Sequence, residues 1–283
     1  MEYLFPEKDL LEKNSNEIKN EKRYYNLSKL IYKTHKDHKL LFPIGIDNSN
    51  DKYYMDLTDK SSLLISGETG SGKSIFLNSL IISLLMKNNP DELKLLLIDS
   101  SKVELNLYNG IPHLLKNVLF DSDETINALN MILDIIEKRK KLFNKLNVKN
   151  IIEYNNKSEN KMPQIIIVID EAINILSKNE SPIIISKIIL AGCRFGIHLV
   201  LSTSAYLKEF VTTNLLNRFE NILTFDLASA EQADYIKLKN SNLLTIYGEA
   251  LVKSRNRKIK NLQTPYVSTN DINSVVNFIK KHY

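Results

Sequence analysis

The sequence predicts an α/β fold with a mainly parallel central sheet covered by helices on both faces. Three observations predict it. From about residue 40 onward, strand-like apolar runs alternate with helix-length periodic segments, the order that yields parallel strands joined by crossover helices. One strand-like run leads into a glycine-rich turn and straight on into an apolar helix. Another, Ile165–Ile169, is wholly apolar and ends in two acids, Asp170 and Glu171.

Taken in order, residues 1–39 are polar and charged with weak helical periodicity, and Leu27, Leu30 and Ile31 could form one apolar stripe. They read as a short helical arm without a core of its own, ahead of a main domain over residues 40–283. The first strand of the parallel set is Leu63–Ser66. It enters Gly67-Glu68-Thr69-Gly70-Ser71-Gly72-Lys73-Ser74, which fits G-x-x-x-x-G-K-S, and the helix beginning at Ile75 follows. Glycines let the backbone fold so that several N–H groups converge on a phosphate, and the helix adds its positive N-terminal end. Lys73 can reach β- and γ-phosphates, and the Ser74 hydroxyl can hold Mg²⁺. Residues Gly67 to Ile75 therefore predict a nucleoside triphosphate site.

The next strand is Leu93–Asp99. Asp121-Ser122-Asp123-Glu124 caps a long helix running to about Leu146, because an Asp side chain accepts from the free N–H groups of the first turn. Asn155–Lys161 is a polar loop bounded by Pro163, and Gln164–Asp170 is a buried strand. Two carboxylates fit its end only where the chain leaves the sheet at its C-terminal edge, where ligands bind in such folds. Asp170 would hold Mg²⁺ through water, and Glu171 would orient or deprotonate the attacking water. A competing reading makes the pair the cap of a helix over Ala172–Leu176. Joined to Gly67–Ser74, the pair points to hydrolysis rather than simple binding. Thr203 closes the strand His198–Thr203; it could sense a γ-phosphate or simply bond to backbone. Ile222–Leu227 is the last strand of the set.

Composition excludes several classes. Apolar content of 43% and charged content of 25% are those of an ordinary soluble protein. The longest apolar stretch, Ser181–Ala205, is interrupted by Lys187 and Arg194, so no segment reaches the roughly 20 clean apolar residues that span a bilayer. The acidic, polar N-terminus is no signal peptide. A single Cys193 leaves no internal disulfide and fits the cytoplasm, and no Cys/His cluster suggests zinc. The net charge of +5 is uneven. Lys253–Lys260 holds five cations in eight residues, including Arg255, Arg257 and Lys258, and Glu137–Lys149 is also lysine-rich. Each patch is either a solvated face or a contact for DNA.

These residues together resemble the motor domains of FtsK/SpoIIIE-type DNA translocases. Gly67–Ser74 is similar to that family's G-x-T-G-S-G-K-S. Ile98-Asp99 with Glu104-Leu105, the run Tyr108–Leu115, the helix bearing Asn127–Leu129, Glu137, Arg139 and Leu142, Tyr154-Asn155, and Gly196–Thr203 resemble further family segments, in family order over about residues 40–283. The resemblance implies a RecA-like fold and a homo-hexameric ring. It also implies ATP and Mg²⁺ at subunit interfaces, a neighbour's arginine completing each site, and double-stranded DNA drawn through the centre. The chain departs from the pattern in places. Ser204-Ala205-Tyr206 replaces Q-R-P after Thr203, and Ile222 takes a family arginine position, leaving Arg218 or Arg194 as candidates for the arginine in trans. Ser101 stands for a family lysine, with Lys102 one place on. With no membrane segment and no module read beyond the motor, the expectation is an accessory motor for plasmid or mobile-element DNA transfer. Residues 1–39 could then dock to a DNA-processing or membrane transfer-apparatus protein. A protein-secretion ATPase module and a nucleotide-gated adaptor with little turnover are the alternatives.

Overall fold

In a computed structural model describing residues 25–30, 40–59, 62–204, 207–254 and 258–283, nine strands hydrogen-bond into one sheet whose halves are built differently. The chain begins with β1 (Tyr25–Asn26), then makes the antiparallel pair β2 (Leu41–Ile46) and β3 (Lys52–Asp56). β4 (Ser62–Ser66) feeds the glycine-rich loop and α1 (Lys73–Leu85). β5 (Leu93–Asp99), α2 (Ser122–Leu146), α3 (Ile151–Lys157), β6 (Gln164–Asp170), α4 (Ile173–Leu176), α5 (Ser181–Gly192) and β7 (Ile197–Thr203) follow. After α6 (Leu207–Phe210), α7 (Thr213–Leu216), β8 (Asn221–Thr224) and α8 (Ala230–Tyr235), the chain ends with β9 (Glu249–Ser254), β10 (Lys260–Gln263), β11 (Pro265–Tyr266) and α9 (Thr269–His282).

The strand order is β3-β2-β10-β9-β8-β4-β7-β6-β5. β8, β4, β7, β6 and β5 are mutually parallel, as expected. The remaining four strands extend the sheet in antiparallel fashion, so it is mixed rather than purely parallel. The reason lies in the residues. β4, β6 and β7 are buried on both faces and therefore read as continuous apolar runs. β3, with the sequence Lys-Tyr-Tyr-Met-Asp, is mostly half-buried, and β9 and β10 carry Lys253 and Lys260. Such strands give no such run to read.

Side chains of the parallel strands alternate between two cores. Leu63, Ile65, Val168 and Val200 point to the layer of α1 and α9; Leu64, Ile167, Leu199 and Leu201 point to the layer of α2 and α5. α1 is apolar around most of its circumference because it lies wholly inside. Its Ser79 and Ser83 hydroxyls are satisfied by the Phe76 and Ser79 carbonyls.

α2 starts where the sequence predicts. The Asp121 carboxylate accepts from the Asp123 and Glu124 N–H groups at 2.8 and 3.0 Å. From its buried middle, Arg139 donates to the carbonyls of Phe195 and Pro163, and burial lowers its pKa to about 10. This arginine, one of the residues that carry the family resemblance, is a structural clamp between α2 and the strands.

The stripe expected of Leu27, Leu30 and Ile31 takes another form. β1 pairs in parallel with β11, and a 3-10 turn over Leu27–Lys29 follows. Leu27 and Leu30 are fully buried, and Leu27 belongs to the main core; Ile31 and most of residues 1–39 lie outside the described residues. Leu27→Ala should therefore lower the unfolding free energy in urea by about 2–5 kcal/mol, the range for emptying a core leucine site. A change below about 0.5 kcal/mol, as at a surface position, would show residues 25–30 to be peripheral.

Candidate nucleotide site

Strand register gathers the functional residues on one edge. Ser66 lies opposite both Thr203 and Thr224, and Asp99 lies opposite Asp170. The C-terminal ends of all five parallel strands thus meet at the same level.

The loop after β4 is braced from the antiparallel side. The Glu68 N–H donates to the Asp226 carbonyl at 2.8 Å, and the Gly248 N–H donates to the Ser71 carbonyl at 3.1 Å. Gly67 and Gly72 have φ of 149° and 118°. A Cβ on Gly67 would lie 2.7 Å from the Phe225 Cβ, and one on Gly72 would lie 3.2 Å from the Gly248 Cα. Both positions demand glycine for conformation and for space. Gly70 differs: nothing lies within 4 Å of where its Cβ would be, so the loop opens over a free cradle. The Ser71 hydroxyl is buried on the Gly67 side of the loop, with no partner among the described residues.

Lys73 opens α1 and is 7% exposed. Its ammonium turns back onto the loop, donating to the Gly67 and Glu68 carbonyls at 2.6 and 2.9 Å. Burial lowers its pKa, against the pull of Glu171, Asp170 and Glu68. Ser74 follows on the first helical turn and Ile75 after it, both half-buried; Thr69 is exposed.

Asp170 ends β6 nearly buried, and burial raises its carboxyl to about 6, helped by Asp99, Glu171 and Glu104 and opposed by the Ser202 hydroxyl. Glu171 adopts a left-handed backbone, φ 50°. The Ala172 N–H bonds the Ser202 carbonyl at 2.9 Å, tying this turn to β7. The Glu171 Oε1 accepts from the N–H and hydroxyl of Ser204 at 3.2 and 2.8 Å. Thr203 is buried beside Ser66, its hydroxyl donating weakly to the Ser204 carbonyl at 3.3 Å.

The two candidate arginines are not brought to this edge. Arg218 precedes β8, at the other end of the sheet, with its Nε unpartnered among the described residues. Arg194 precedes β7, donates to the Lys149 carbonyl and stacks 5.6 Å from the Phe195 ring. Arg255 and Arg257 lie outside the described residues, while Lys258 is exposed where the β9–β10 hairpin turns. That turn is likewise at the opposite end, since Ser254 pairs with Asn221, the first residue of β8.

Two parts of the edge escape a reading of the sequence. Gly248 carries no motif, and only the fold sets it against the loop. Asp99 carries a signal, an acid closing an apolar strand as Asp170 does. Its oxygens accept from the N–H groups of Ser101, Lys102, Glu104 and Leu105 and from the Ser101 hydroxyl, at 2.6–3.0 Å. It anchors the loop after β5.

The arrangement suits a magnesium–polyphosphate. Mg²⁺ keeps waters and phosphate oxygens and takes only one or two protein ligands, which Ser74 and Asp170 would supply. Among the described residues no cluster of His, Cys, Asp and Glu could hold a metal alone. Strand, phosphate loop and acid-tipped strand define a P-loop ATPase domain.

The family model described as FtsK/SpoIIIE family matches residues 31–267. The chain is 34% identical over 251 residues to the DNA translocase FtsK of Clostridium acetobutylicum, covering 85% of this chain and 33% of that protein. It is 31% identical over 279 residues to that of Borreliella burgdorferi, covering 94% and 35%. The chain belongs to the FtsK/SpoIIIE family, and it spans about a third of the length of these relatives. In fold it is similar to the cytoplasmic domain of the Thermomonospora curvata type VII secretion ATPase EccC, with TM-score 0.79, 20% identity, and 90% of this chain and 34% of that one covered. It is also similar to the pCW3 conjugation coupling protein TcpA with ATPγS, with TM-score 0.77, 20% identity, and 90% and 73% covered.

Asp99→Asn should destabilise the fold by about 1–3 kcal/mol, because the amide cannot accept all of these bonds and leaves buried N–H groups unmet. Chemical unfolding measures this; unchanged stability would show that the loop does not depend on Asp99.

Proposed function

We propose that this chain is an ATP-driven translocase of double-stranded DNA, working as a homo-hexameric ring in the cytoplasm and serving plasmid or mobile-element DNA transfer. The observation that carries the reading is the 34% identity to a DNA translocase across a region that includes the whole site. The likeness to the secretion ATPase, at 20% identity, is one of fold alone. The likeness to TcpA, also at 20% identity, is likewise one of fold, and the transfer assignment rests on the sequence reading of a divergent accessory motor.

In this reading residues Gly67 to Ile75 wrap the triphosphate. Lys73 exchanges its two loop carbonyls for β- and γ-phosphate oxygens. Ser74 and Asp170 hold Mg²⁺, Glu171 directs the attacking water, and Thr203 faces the γ-phosphate. Both Arg218 and Arg194 lie at the far end of the sheet from their own loop, so either would act on a neighbour's nucleotide. Arg255, Arg257 and Lys258 meet DNA phosphates.

The test is the steady-state ATPase rate with and without long duplex DNA. Stimulation that weakens with salt is expected. Lys73→Ala should abolish turnover. Glu171→Gln should abolish turnover while ATP binding persists. Joint neutralisation of Arg255, Arg257 and Lys258 should reduce DNA affinity and flatten its salt dependence by up to about 0.9 for each phosphate no longer neutralised. Binding of ATP with negligible turnover under every condition would favour a nucleotide-gated adaptor instead.

A pH dependence follows from Asp170. With its carboxyl at about 6, the proton must leave before Mg²⁺ binds. Affinity for the magnesium–nucleotide should fall as pH drops through 6, by up to about tenfold per unit. Asp170→Asn should bind more weakly and lose that step, leaving only the nucleotide's own titration, as isothermal calorimetry can show. An identical pH profile in both proteins would remove Asp170 from the metal site.

A further inference from the structure

We infer that Ser204 is the positioning residue for the Glu171 carboxylate; the inference rests on the reading of Glu171 as the group that directs the attacking water. Ser204 stands one residue past β7, where the family pattern has glutamine. Among the described residues, the hydrogen bonds to the Glu171 side chain both come from it.

The geometry makes the link specific. β6 and β7 are paired in register up to Ile169 and Leu201. Past that point β6 turns away at Glu171 with φ 50°, a left-handed conformation disfavoured for a non-glycine residue. The turn is held by the Ala172 N–H on the Ser202 carbonyl. This brings the glutamate alongside the end of β7 rather than out into solvent. Oε1 receives both Ser204 donors, at 2.8 Å from the hydroxyl and 3.2 Å from the N–H. Two donors on one oxygen fix the carboxylate plane and leave Oε2 free to accept from water. The carboxylate so held lies near enough to Lys73 for its charge to oppose the effect of burial on that lysine. A glutamine has no hydroxyl and a longer side chain. Serine at this position thus ties the water-directing group to the strand that carries Thr203.

The test is steady-state kinetics on the full chain with duplex DNA present. Ser204→Ala removes the hydroxyl and leaves the N–H. It should lower kcat about tenfold, as expected for one lost hydrogen bond to a charged group, with KM for ATP unchanged within about twofold. Ser204→Thr keeps the hydroxyl and should restore most of kcat. Thermal unfolding checks that all variants fold. In a Glu171→Asp background, whose shorter side chain withdraws the carboxylate from Ser204, Ser204→Ala should bring no further loss. The inference is overturned by an unchanged or increased kcat in Ser204→Ala, by Ser204→Thr behaving like Ser204→Ala, or by a full multiplicative loss in the Glu171→Asp background. Turnover surviving in Glu171→Gln would instead remove the parent reading. Turnover lost in Glu171→Gln but kept in Ser204→Ala would remove this inference alone.

Discussion

Parallel pairing of five doubly buried strands is the constraint on which the site depends. A one-residue slip in such a strand would exchange its two faces, and here both faces are filled: Leu63 and Ile65 pack under α1 while Leu64 packs under α2 and α5. Register is therefore pinned from both sides. Because it is pinned, Ser66, Asp99, Asp170, Thr203 and Thr224 end at one level. β7 lies between the loop strand β4 and the acidic strand β6. Phosphate loop and acids are thus one strand apart, with Thr203 and Ser204 at the end of the strand between them.

The antiparallel extension gives this edge a support and the opposite edge a tip. β9 starts at Glu249, just after Gly248, whose N–H bonds the phosphate loop, and ends at Ser254, beside the basic hairpin turn. Six residues in extended form span about 20 Å. The phosphate-loop support at Gly248 and the Ser254 end are therefore the two ends of one strand. Arg218 and Arg194 precede β8 and β7 and so lie at the end of the sheet away from the phosphate loop.

Much of this was legible in the sequence because the signals were local. Gly67–Ser74 shows its glycines, lysine and serine in one run, and β5, β6 and β7 read as apolar strands because burial on both faces leaves no alternation. The Asp121 cap was legible for the same reason. What escaped depends on contacts distant in sequence. β3, β9 and β10 are only partly buried and carry charges, and β2, though buried, is broken by Pro43 and Gly45. Leu27 reads as part of a short apolar stripe on a coreless arm, and only the pairing of β1 with β11 sets it in the main core. Gly248 acquires its role only by packing against Gly72, 176 positions earlier in the chain. Ser204 read as the loss of a family glutamine, whereas the structure makes it the hydrogen-bond donor to Glu171.

The most direct test of the account is displacement of a labelled third strand from a duplex–triplex DNA substrate by the full chain. The account predicts displacement with ATP and Mg²⁺, and none with ATPγS or with the Lys73→Ala protein. Robust DNA-stimulated hydrolysis that leaves the third strand in place would contradict it. The chain would then be an ATPase that senses duplex DNA without moving along it.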